Sequence, residues 1–147
     1  MKNPDLLPYD PGVLPVFSAP QRGESITIKV EGLPPFKQIR QSLRNCNNPR
    51  YSAFTALRSA GIAAMAGRCW YFGAIQLSLC IFGPRPSQGP SLGDYVGGVF
   101  DTLDGSSGRT FTYLPVAYQD DCQVTRSESS WIEQDGEHYY EVSIKFL

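Results

Sequence analysis

The stretch WYFGAIQLSLCIF, residues 70–82, is a long and mostly apolar run in the middle of the chain. Leu77, Leu79 and Ile81 occupy every other position in its second half, which is the two-residue period of a β-strand. A strand this apolar is typical of the interior of a sheet. We therefore predict that residues 70–82 form a central strand around which the rest of the chain is arranged.

Two helices are predicted on either side of this strand. The first could be capped by Ser52 and run to about Ala66, with an apolar stripe that leaves Arg58 and Arg68 to one side. The second is predicted near residues 94–103, and either Asp94 or Ser91 could start it. Its Gly97–Gly98 pair is a poor helix former, so we expect a close approach of some other group to that backbone.

Further strands are predicted from alternation at residues 25–30 and from strand character at residues 111–114. Residues 123–128 and 137–147 are predicted as a final antiparallel pair, turned at residues 134–136. This order of elements predicts an α/β or α+β fold, a mixed sheet with two main helices packed on it.

The first 24 residues differ from the rest because they contain five prolines, which block helix and interior strand. We predict an extended arm over residues 1–24, lying on the body or on a partner chain, and a single domain over residues 25–147. No signal peptide and no apolar stretch of membrane-spanning length are evident. Four cysteines without a paired spacing and one histidine disfavour a zinc site. We expect a cytoplasmic protein that has no membrane contact.

Charge is unevenly distributed although the net charge is only −1. No Asp or Glu occurs between Gly32 and Gly93, a stretch with seven basic residues, whereas most acids follow Gly93. Enzymes that cut polyphosphate chains with metal ions combine a cationic surface with a small acidic pocket, but charge also drifts along chains without function. The residues predicted to bind DNA are Lys37, Arg40, Arg44, Arg50 and Arg58.

Several carboxylates stand where elements begin or end. Asp94 lies at the predicted start of the second helix, and Asp120 and Asp121 precede a strand. Asp101 and Asp104 lie further along roughly the same helix side as Asp94. Magnesium requires such oxygen ligands. From spacing alone, a helix cap at Asp94 and a simple turn at Asp120–Asp121 remain the alternatives.

The two acidic stretches, SLGDYVGGVFDTLDG and YQDDCQV, resemble the core of the RusA family of Holliday-junction resolvases. In that family an Asp-x-Asp-Asn block, a lysine and an apolar-Asp-Ala-Leu segment precede an Asp-Asp-x-Gln-Val/Ile block. Residues 100–103 match the end of the first block, and residues 120–124 match the second closely. The resemblance covers about residues 25–147, because the remaining strands and the first helix agree in order.

The resemblance implies a small homodimer that binds branched DNA, in particular four-way junctions, and cuts it with magnesium or manganese. It implies a metal held by two acids of the first block and by the second acid of the Asp-Asp pair. Asp121 matches the latter, whereas Ser91 and Gly93 stand where the first block has its acids.

Two interpretations follow from this mismatch. In the first, the site is rearranged and still cuts DNA. Its expected catalytic residues are Asp121, Asp94 and Asp120, and its expected metal ligands are Asp121, Asp94 and Asp101. In the second, the chain retains the fold without catalysis and binds branched DNA or another protein.

Overall fold

A computed structural model describes residues 12–37, 43, 47–107 and 112–147 of the chain. Its elements, in chain order, are β1 (Ser25–Glu31), α1 (Tyr51–Met65), β2 (Ile75–Phe82), α2 (Leu92–Leu103), β3 (Ser106–Ser107), β4 (Thr112–Tyr113), a 3₁₀ turn (Asp121–Gln123), β5 (Val124–Ile132) and β6 (Tyr139–Phe146). Neither helix has the length and hydrophobicity of a membrane span within this part of the chain.

The main sheet has four strands in the order β1–β6–β2–β5. β2 lies between β6, to which it is antiparallel, and β5, to which it is parallel. Ile75, Leu77, Leu79 and Ile81 of β2 all face the core. The predicted central strand and the α+β class, a mixed sheet with two helices packed on it, are therefore confirmed, although β2 begins at residue 75 rather than 70.

The predicted antiparallel pairing of the last two strands is wrong, because β2 lies between β5 and β6. β6 buries a large side chain at every second position and pairs with β1 on one side and β2 on the other. β5 is mostly exposed on both of its faces, so it suits the edge of the sheet. The turn signal at residues 134–136 describes only the local chain reversal and does not specify which strand lies beside which.

The arm joins the domain body through its backbone. Val16 and Phe17 donate hydrogen bonds to the carbonyl of Gly67, and Cys69 donates one to Phe17. Residues 12–24 therefore contact the same chain, while residues 1–11 lie outside the described part. The division into arm and domain stays a prediction, consistent with β1 beginning at Ser25.

α1 begins after Arg50, which caps it without a side-chain hydrogen bond, so the predicted cap at Ser52 is wrong. Its buried face includes Phe54, Leu57 and Met65, as the apolar stripe indicates, but also Arg58. Helical spacing assigns residues to faces, but it does not reveal that a charged residue can find partners in the interior.

Arg58 is a structural residue that holds two chain segments together. Its side chain is 4% exposed and donates from Nη1 to the carbonyl of Thr102 (3.1 Å) and from Nη2 to that of Leu114 (2.9 Å). The guanidinium also lies over the ring of Tyr113, 4.9 Å from its centroid. Arg58 cannot reach a phosphate from this position, which corrects its predicted role in DNA binding.

We expect Arg58→Ala to lower the free energy of unfolding by about 3 kcal/mol, because two charge-assisted hydrogen bonds are lost, one to a buried and one to a half-buried carbonyl. Arg126→Ala, on the exposed edge strand, should change it by less than about 0.5 kcal/mol. Urea unfolding followed by circular dichroism measures both. Equal midpoints for the two variants would contradict the structural role of Arg58.

The glycine pair of α2 allows a loop to cross the helix, as expected. A Cβ atom on Gly98 would lie 2.0 Å from the carbonyl oxygen of Pro35, whereas one on Gly97 would lie 3.7 Å from the side chain of Lys37. The backbone N–H of Lys37 donates to the carbonyl of Asp94 (3.3 Å). The absence of a side chain at Gly98 is thus what brings residues 35–37 onto α2.

Gly97 and Gly98 make a matched pair for testing this crossing. Gly98→Ala should cost about 1–3 kcal/mol or more, because the new methyl group collides with backbone that cannot rotate away. Gly97→Ala meets only ordinary contacts and should be neutral or stabilise by up to about 1 kcal/mol, since alanine favours the helix. Thermal unfolding of both variants measures the difference, and a similar loss in both would contradict the close approach.

Candidate metal centre

The last turn of α2 lies beside the start of β5, and three carboxylates meet there. Asp101 belongs to α2, Asp104 follows its last residue, and Asp121 opens the 3₁₀ turn. One oxygen from each lies within 4.8 Å of the others. Three hard oxygen ligands at this separation fit a magnesium or manganese ion, with water completing its coordination. We call these three residues the acidic group.

The turn that presents Asp121 is built by its neighbours. Asp120 caps it, since its Oδ1 accepts the backbone N–H of Cys122 (3.0 Å). Gln123 Oε1 accepts from the backbone of Gln119 (2.8 Å) and Asp120 (3.0 Å). Because Asp120 and Gln123 satisfy the turn, the carboxylate of Asp121 is left to face α2. The structure thus gives Asp120 a supporting position outside the acidic group.

Gln123 also attaches this turn to the segment before β2. Its Nε2 donates to the carbonyls of Tyr71 and Gly73, both at 2.8 Å. One side-chain amide therefore bonds the start of β5 to the chain that leads into the central strand. These contacts give each polar residue of the Asp-Asp-x-Gln spacing a position: Asp120 caps the turn, Asp121 joins the acidic group and Gln123 anchors the turn.

Asp94 does not join the acidic group, which corrects its expected place as a metal ligand. Its carboxylate accepts the backbone N–H of Ser91 (3.0 Å), and the hydroxyl of Ser91 accepts the N–H of Asp94 (3.2 Å). This is a capping box at the start of α2. Asp101 lies seven residues later, about 10 Å along the helix axis.

Asp104 is the member of the acidic group that the sequence prediction left out. Its side chain is largely buried, with 9% of the residue exposed. The signal for it was present in the sequence, since residues three apart on a helix share a side. The sequence does not show that the chain turns back towards β5 after α2. Because of this turn, the end of the helix and not its start lies beside Asp121.

The charges of the acidic group act on one another. The pKa of the Asp121 carboxyl is raised by its interaction with the neighbouring Asp120 side chain, by burial and by the charges of Asp120 and Asp101. Beneath the group, burial first and then Asp104, Asp121 and Asp101 raise the pKa of the Tyr118 hydroxyl well above its usual range. A bound cation would relieve this repulsion, so the group is electrostatically suited to one.

Of the predicted DNA-binding residues, Lys37 lies beside the acidic group. Its Nζ is 3.7 Å from Asp101 Oδ2, and its side chain is 66% exposed. Arg50 is exposed at the start of α1, with its guanidinium over the ring of Phe36. Arg40 and Arg44 lie outside the described residues. Lys37 and Arg50 therefore remain candidates for phosphate contact.

Comparison with known proteins finds no family model that matches the chain and no curated protein with significant similarity to it. The resemblance to RusA resolvases therefore stays a prediction from the sequence, with its motifs in the two acidic stretches.

Metal binding should appear as thermal stabilisation, because an ion that binds only the folded state adds about 2.7 kcal/mol at 100 times its dissociation constant. We expect magnesium or manganese to raise the melting temperature of the wild type. Asp121→Asn and Asp104→Asn should abolish this rise, since each removes a charged ligand.

Asp135→Asn, in an exposed turn, is the matched control and should keep the metal-induced rise. Calorimetric melts with and without metal measure all four proteins. If Asp121→Asn and Asp135→Asn respond equally to metal, the ion does not bind at the acidic group.

Proposed function

We propose that the chain is a RusA-like endonuclease that binds branched DNA, such as four-way junctions, and cuts it with magnesium or manganese. The observation that carries this proposal is the convergence of Asp101, Asp104 and Asp121 within 4.8 Å. Asp121 belongs to the Asp-Asp-x-Gln-Val block on which the resemblance rests. Asp121 is therefore the residue that belongs both to the sequence motif and to the acidic group.

The acidic group fits the metal by the chemistry of its donors, which are all carboxylate oxygens. A divalent ion held there would activate water and stabilise the leaving oxygen of a phosphodiester. In this proposal Lys37 contacts a phosphate oxygen; its exposed ammonium close to Asp101 supports this role. Asp120 and Gln123 act by keeping the Asp121 carboxylate in position.

The surroundings of the acidic group support a polyanionic substrate. Lys37 and Arg50 belong to the stretch between Gly32 and Gly93 that contains no acid. A homodimer, as the resemblance implies, would present two such sites to the two strands of a junction. A DNA substrate also agrees with the cytoplasmic location expected from the sequence.

A non-catalytic protein that binds branched DNA, or another protein, is the second candidate. Ser91 and Gly93 stand at the two positions where the resemblance expects acids, and Ser91 serves as a helix cap. Of the acidic group, Asp104 is the carboxylate that would have to take the place of the two missing acids. Loss of metal ligands would leave the fold intact and remove transition-state stabilisation.

Cleavage of labelled four-way junctions decides between these candidates. We expect the wild type and Asp135→Asn to cut in magnesium or manganese. Asp121→Asn and Asp104→Asn should lose about 100-fold or more of the rate, because each removes a ligand charge. Binding in EDTA should not weaken in any of the four proteins, since the ion is absent there and the loss of a carboxylate only lowers repulsion of the phosphates.

No cleavage by the wild type in either metal would overturn the nuclease. Binding of junctions that weakens steeply with salt would then support the non-catalytic binder of DNA. Failure to bind any branched DNA would contradict the DNA-binding function altogether.

A further inference from the structure

A groove of about 580 Å³ opens at the end of the sheet where β1 finishes and β6 begins. This volume is within the range of sites that bind small ligands. The groove is separate from the acidic group. Its charged lining residues are Lys29, Glu31, Arg50 and Glu137, and Tyr139 forms part of its wall.

Two cations of the groove are held over aromatic rings. The guanidinium carbon of Arg50 is 4.4 Å from the centroid of Phe36, and Lys29 Nζ is 4.7 Å from that of Tyr139. Tyr139 in turn stacks on Phe82, with centroids 4.6 Å apart and rings 8° from parallel. Cation–π contacts of this kind hold flexible side chains in place at an exposed surface.

The charges that line the groove do not favour free phosphate as its ligand. Glu31 and Glu137 offset the charges of Lys29 and Arg50, so simple attraction of an anion would be weak. A flat guanidinium supported by a ring is instead a stacking surface for a nucleobase, and a nearby ammonium suits the phosphate of the same nucleotide. The two carboxylates can accept hydrogen bonds from amino groups of a base.

Residues 33–37 connect the groove to the acidic group. Leu33 lines the groove, and Phe36 carries Arg50 on its face while its ring meets Tyr95 of α2 edge to face, with centroids 5.8 Å apart. The next residue, Lys37, reaches Asp101. A nucleic-acid strand lying along this segment would pass from the acidic group to the groove without leaving the protein surface.

We propose that the groove holds an unpaired nucleotide of a single strand that leads away from the acidic group. Its base stacks on Arg50 and its phosphate contacts Lys29. The proposal rests on the proposed function for the identity of the strand, and it adds that the protein binds single-stranded DNA at a position remote from the acidic group.

Fluorescence anisotropy of a labelled oligothymidylate, in EDTA and at low salt, tests this site without a metal. Arg50→Lys keeps the charge but loses the planar stacking surface, so we expect binding to weaken by about 5-fold or more. Arg126→Lys makes the same change on the exposed edge strand and should bind like the wild type. Unchanged melting temperatures would show that both variants fold.

The salt dependence of binding gives an independent readout. Lys29→Ala should reduce the slope of log affinity against log salt by about 0.7, the value for one phosphate contact on a single strand. Lys145→Ala, at the opposite end of the sheet, should leave the slope unchanged.

Equal affinities for Arg50→Lys and Arg126→Lys, or no binding by the wild type, would overturn the groove proposal. Because the assay contains EDTA, its result does not depend on cleavage. Junctions that remain uncut while Arg50→Lys still weakens binding would count against the nuclease alone. Normal cleavage without an effect of Arg50→Lys would count against the groove alone.

Discussion

The side-chain amide of Gln123 joins the main sheet to the turn that carries Asp121 of the acidic group. It donates to two carbonyls ahead of the central strand and accepts two N–H groups of the turn before β5. β5 is an edge strand with little buried surface, so its position cannot come from apolar packing alone. Backbone pairing with β2 holds β5 along its length, and the amide adds a side-chain link at the point where β5 starts. Asp121, in the same turn, lies close to Asp101 and Asp104.

The other half of the acidic group depends on how α2 is held at its two ends. A capping box between Ser91 and Asp94 sets its start. At the end of α2, Arg58 donates hydrogen bonds to the carbonyls of Thr102 and Leu114. These two bonds tie the helix to the segment that returns towards β5. These contacts bring like charges together at a cost in electrostatic repulsion. A bound cation would offset this repulsion.

Alternation and apolar runs predict the central strand, both helices and the fold class, because they report which side of an element faces the core. They do not predict the partner of β5, since a turn motif describes local geometry only. Nor do they reveal that Arg58 is buried, because its carbonyl partners lie 44 and 56 residues away. In the candidate site, motif resemblance indicated Asp121, whereas the choice of Asp104 over Asp94 required the path of the chain after α2.

The central claim is that a divalent ion binds between α2 and the turn before β5. A crystal structure with manganese, analysed by its anomalous scattering, tests it most directly. We predict a peak about 2.0–2.4 Å from carboxylate oxygens of Asp101, Asp104 and Asp121. A structure at saturating manganese with no peak at these residues, or with the three carboxylates turned away from one another, would contradict it.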